Sequence, residues 1–123
     1  MPGAITTSGP AAPYNVNSAN NTAAVLALAP TATGRVILQS LFAQVGPGGG
    51  ATGAIAVTVG GTSSGNAIVL SYTIAPGAAG TSPYLDVEFP PGVAFDTNTT
   101  VTITVGAGGA GIFTHLNVAA TVT

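Results

Sequence analysis

One arginine, three carboxylates and one histidine make up the charged and titratable set near neutral pH: Arg35, Asp86, Glu88, Asp96 and His115. Any acid–base or nucleophilic mechanism would have to recruit His115, because the chain has no cysteine and its serines cluster in glycine-rich stretches rather than on a strand–turn–helix elbow. Alternation around Thr114-His115-Leu116 puts the imidazole on the outward face of the last strand, as a surface or inter-subunit histidine. Asp86 and Glu88 stand two apart on one face of a strand, and Asp96 follows across a turn. Paired carboxylates can transfer protons or hold a hard cation, yet alternation sends these two into solvent with no neighbouring charge to tune them. The sequence therefore predicts no catalytic residue and no metal site. Nor does it predict a cofactor: Gly106-Ala107-Gly108-Gly109-Ala110-Gly111 lacks a following lysine and is flanked by strands, whereas a phosphate cradle needs a helix N-terminus. Asn20-Asn21-Thr22 and Asn98-Thr99-Thr100 match the glycosylation sequon but read as turns. Arg35 should pair with one of the three carboxylates, or reach across a subunit boundary.

Charged residues are only 3% of the 123, with a net charge of -2, where about a quarter is usual. Threonine, serine, asparagine and glycine must cover most of the surface. Nucleic acid is excluded as a partner, since one arginine and no lysine cannot neutralise a phosphate backbone. Anionic membrane surfaces are excluded on the same ground, and every apolar run is broken well short of the ~18 residues of a membrane helix. The opening residues, Met1 to Pro10, show neither the basic nor the apolar region of a signal peptide. So little charge gives little colloidal repulsion, and charged side chains are depleted at the cores of protein interfaces. The composition points to a chain that lies largely within contacts, a homo-oligomer or an obligate assembly.

These side chains must be positioned by strands. Helix formers are scarce, glycine or proline recurs every few residues, and Val, Ile and Thr gather in short runs. Residues 1–22 read as an extended arm holding Pro2, Pro10 and Pro13, with Tyr14 and Val16 anchoring its far end. Residues 23–123 read as one β-sandwich domain. Its runs are Ala23 to Ala29; Arg35 to Val45, apolar on both faces and hence central; Ile55 to Val59; Ile68 to Ile74; Leu85 to Phe89; Thr100 to Val105; and Leu116 to Val122. Gly60 to Gly65 and Gly106 to Gly111 read as loops. Period-two alternation over so many segments means half-buried antiparallel strands. Seven or eight of them predict an all-β sandwich, a jelly roll in preference to an immunoglobulin-like order. Phe42, Tyr72 and Phe89 read as buried, leaving few rings to stack on a sugar. Pro10, Pro13, Tyr14, Arg35 and His115 are the candidate interface residues.

Several stretches form a further pattern: Gly34-Arg35-Val36-Ile37-Leu38-Gln39-Ser40-Leu41-Phe42-Ala43, then Val57-Thr58-Val59-Gly60-Gly61-Thr62, Val87-Glu88-Phe89-Pro90-Pro91-Gly92, Val101 to Gly111, and Leu116-Asn117-Val118. From Ala29 onward the chain resembles small tailed-bacteriophage structural proteins of the head decoration (cement) and head fibre type. The resemblance implies a non-enzymatic jelly-roll module made in the host cytoplasm and carried on the outer capsid surface of the virion. It also implies the major capsid protein as partner, with a homotrimer favoured by analogy of fold. A host-receptor or carbohydrate-binding module of a fibre or tail is the alternative. A hydrolase would depend on His115, and an adhesin would need a route of secretion.

Overall fold

The computed structural model describes residues 12–46, 54–75 and 81–123. Among these residues eight strands follow one another: β1 (Ala12–Asn17), β2 (Ala24–Leu28), β3 (Val36–Val45), β4 (Ile55–Ser63), β5 (Asn66–Ile74), β6 (Tyr84–Ala94), β7 (Val101–Val105) and β8 (Thr114–Val122). They form two four-stranded sheets, in the orders β1-β8-β3-β6 and β2-β7-β4-β5, and every pairing is antiparallel. Only β4 and β5 are joined within one sheet; every other connection crosses between the two. That order is the jelly roll, as the sequence predicts.

Alternation builds the core. In β7 the side chains of Val101, Ile103 and Val105 are buried and Thr102 is exposed. In β4 Ile55, Val57 and Val59 face the same interior. Leu116, Val118 and Ala120 of β8 meet them from the other sheet, with Val36, Leu38, Leu41, Ala43 and Val45 of β3. Leu38 and Leu41 are three residues apart, so strict alternation would put them on opposite faces. A bulge between Leu38 and Ser40 resets the parity and turns both inward. The same irregularity leaves Phe89 to Gly92 of β6 opposite Gln39 alone.

Of the arm expected over residues 1–22, residues 1–11 lie outside the described residues, and part of the rest is strand. Ala12–Asn17 is an edge strand paired along β8, from Ala12↔Ala120 to Asn17↔His115. Tyr14 and Val16 lie opposite Val118 and Leu116 and pack on the core, while Pro13 is tolerated because it sits at the sheet edge. Among the described residues the sandwich thus includes Ala12–Asn17, ahead of Ala23. The predicted loop Gly60 to Gly65 also shrinks. β4 runs on to Ser63, and the turn is Ser64-Gly65 alone, with φ of 52° and 77°, the left-handed pair that a two-residue hairpin of type I′ requires.

Asp96 ties that turn down. Ser64 N–H donates to its Oδ1 (2.7 Å) and Gly65 N–H to its Oδ2 (2.9 Å), while Asp96 N–H donates to Thr62 O (2.8 Å). A carboxylate accepting two backbone donors is favoured in its charged form. The Gly65 and Ser64 amides, helped by Thr62 and more distantly by Arg35, hold the Asp96 carboxyl below its ordinary 3.8.

Two predictions follow from this packing. A Cβ on Gly61 would stand 2.6 Å from Cδ1 of the fully buried Phe95, whereas one on Gly60 would meet nothing within 4 Å. Gly61→Val should therefore lose ~1–3 kcal/mol in urea unfolding, while Gly60→Ala holds or gains up to ~1 kcal/mol. The second concerns acid. Folding lowers the Asp96 pKa, so its contribution is complete above 3.8 and is lost as pH falls through the lower folded value. The melting temperature should drop across that acid range, and Asp96→Asn should flatten this part of the Tm–pH curve.

Candidate functional site

The residues singled out by chemistry are not brought together. His115 lies half-buried on the outward face of β8, and its Nδ1 is 2.8 Å from Asn17 Oδ1 on the neighbouring edge strand. Its hydrogen bond thus joins β1 to β8. Asp86 and Glu88 are exposed on β6, where alternation places them. Asp96 is engaged elsewhere, by the hairpin turn. Among the described residues no group of three or more His, Cys, Asp or Glu side chains could hold a metal ion.

Arg35 is exposed and forms no ion pair among the described residues; the Asp96 carboxylate is held instead by the Ser64 and Gly65 amides. The arginine's backbone is what is fixed. Arg35 N–H donates to Thr123 Oγ1 (3.1 Å), Thr123 N–H donates to Arg35 O (3.1 Å), and Thr31 N–H donates to Thr123 O (2.9 Å). The guanidinium borders a cleft of about 350 Å³ lined also by Thr33, Ile37, Thr97 and Thr123. Of the other interface candidates, Pro13 is exposed and Tyr14 half-buried on β1; Pro10 lies outside the described residues.

What alternation does assemble is a pair of unlike outward faces. On β2-β7-β4-β5, register sets Val25, Thr104, Thr58 and Ser71 side by side. The next row is Ala27, Thr102, Gly60 and Val69. Val25 is 51% exposed and Val69 69%. None of the five charged or titratable residues lies on this sheet.

On β1-β8-β3-β6 the corresponding rows are Asn17, His115, Gln44 and Tyr84, then Asn15, Asn117, Phe42 and Asp86. A third row ends on Ser40 and Glu88. Phe42 therefore points outward, contrary to the expectation that it is buried, and stacks on Tyr84 with centroids 5.6 Å apart and planes 22° apart. Tyr72 and Phe89 are half-buried against the core, as a tilted pair 6.5 Å apart. Sequence reading missed the Phe42–Tyr84 pair because Tyr84 precedes the recognisable alternation of Leu85 to Phe89, and Phe42 sits in a run apolar on both faces.

No protein-family model and no curated protein sequence matches the chain. Among solved structures it is similar to TmCBM61 in complex with β-1,4-galactotriose, at 12% identity and TM-score 0.45 over 89% of this chain and 71% of that one. It is similar to the globular domain of zebrafish complement 1qA protein, at 10% identity and TM-score 0.43 over 89% and 95% of the two chains. A likeness to infectious bursal disease virus, Gx strain, covers 94% of this chain and 32% of that one, at 12% identity and TM-score 0.41. The chain's own strand order, rather than these distant likenesses, assigns the jelly roll.

Proposed function

We propose that the protein is a non-enzymatic structural component of a tailed-bacteriophage virion, a decoration or cement protein that binds the major capsid protein on the outer surface of the head. The observation that carries this reading is the uncharged face of β2-β7-β4-β5. Valine, alanine, threonine, serine and glycine cover it, two valines stand in water, and the desolvation penalty of docking is small because no ion has to be stripped. The motif resemblance from Ala29 onward supports the same placement.

Magnitudes decide how such a face would work. Strands ~4.8 Å apart and ~3.4 Å per residue give it roughly 400–500 Å², below the ~800 Å² per partner of a stable standard interface. Burial at ~25 cal/mol per Å², less the cost of association, leaves a weak single contact. Attachment then depends on copies acting together, each contact made effectively intramolecular by its neighbours. A homotrimer is the arrangement we favour.

Quantitative mass spectrometry of purified particles tests this directly. The protein should be present at a simple fraction or multiple of the shell subunit. Val69→Asp should lower its copy number at least about tenfold while the isolated protein melts within a few degrees of the parent. A handful of copies per particle, complete absence, or undiminished attachment of Val69→Asp would overturn the assignment.

A further inference from the structure

The second outward face is not explained by docking onto a shell. Tyr84 is 65% exposed, and its register neighbour on β3 is Gln44, not an apolar side chain. The ring's one aromatic contact is Phe42, to which it lies nearly parallel. Protein interfaces bury their anchor rings in desolvated cores depleted of charge; here the surroundings are amides and carboxylates. Asp86 and Asn117 flank Phe42 on either side, with Asn15 one strand beyond. None of these three polar side chains spends a hydrogen bond on another described residue.

We propose that the outward face of β1-β8-β3-β6 binds a neutral saccharide, with a pyranose ring stacked on the Tyr84–Phe42 pair and its hydroxyls hydrogen-bonded by Asp86, Asn117 and Asn15. The reasoning is chemical. A sugar ring presents polarised C–H groups on one face and hydroxyls around its rim, so it needs an electron-rich aromatic surface beside groups that both donate and accept. An amide offers two N–H donors and a carbonyl, and a carboxylate accepts two hydroxyls at once. The one arginine, Arg35, stands ahead of β3, at the end of the sheet away from the aromatic pair, while two carboxylates lie among the rows beside it, which disfavours anionic ligands and selects an uncharged one. Three rows on four strands span ~14 Å in each direction, room for a short stretch of polysaccharide. The strands are already hydrogen-bonded into the sheet, so little ordering is needed on binding. Such a site would let the particle adhere to glycan-bearing surfaces while the opposite face holds the shell.

The test uses the full chain against an array of neutral cello-, manno-, galacto- and xylo-oligosaccharides, with titration calorimetry of whichever series binds. At least one series should bind. Tyr84→Ala should weaken it about tenfold or more, the scale of a lost aromatic contact. Asn117→Ala should weaken it by a smaller factor, and Val69→Asp, on the other sheet, should leave it unchanged. Binding by none of the four series at millimolar concentration would overturn the proposal. So would binding that both Tyr84→Ala and Asn117→Ala leave intact, or a loss of capsid attachment in Tyr84→Ala, which would make this face a protein contact. Because Tyr84 and Asn117 are exposed, both variants should melt like the parent, and loss of binding is not confused with loss of fold.

Discussion

Four charged side chains in 123 residues leave this fold almost no ionic means of choosing its shape, so the register of its pleat has to do it. A one-residue slip in β7 would exchange the inward Val101, Ile103 and Val105 for outward threonines and empty that part of the core. The bulge at Gln39 shows how strictly this applies: it is the local price of bringing both Leu38 and Leu41 inside. Where the backbone needs more than the ladder, it uses hydroxyls, amides and a carboxylate. Thr123 latches the loop before β3, Asp96 clamps the β4–β5 turn, and Asn20 Oδ1 accepts from Gly111 N–H at 2.7 Å. Among the described residues no buried side-chain polar atom lacks a partner.

Much of this was legible from residue types. Val101 to Val105 alternates without interruption and Leu116 to Val122 does so except at Ala119, and each became a strand with Val101, Ile103, Val105, Leu116, Val118 and Ala120 inward. What escaped were features that alternation does not encode. β1 offers only Tyr14 and Val16 as a periodic signal, too few to distinguish a strand from an arm with prolines. Phe95 and Ile112 are fully buried yet lie outside strands, so neither belongs to a periodic run. The grip of Asp96 on Ser64 and Gly65 joins positions about thirty residues apart, and nothing local announces it.

The outward faces are less legible in the sequence than the fold. Their character is collective. Threonines, alanines and two valines become a face only once register aligns four strands, and Phe42 becomes half of an aromatic pair only when β6 is laid against β3. The result is a sandwich with two unlike sides: one without charge, suited to burial against protein, and one polar with a ring in water. A jelly roll permits this division because its two sheets share a core but no outer surface.

The most direct test of the two-sided account is hydroxyl-radical footprinting of the protein free and mixed with the phage particle proposed to carry it, read side chain by side chain. The account predicts that Val25 and Val69 become protected on attachment while Tyr84 and Phe42 react as they do in the free protein. Protection of Tyr84 and Phe42 with unchanged Val25 and Val69 would contradict it, by showing that the polar, aromatic sheet is the one that meets the shell.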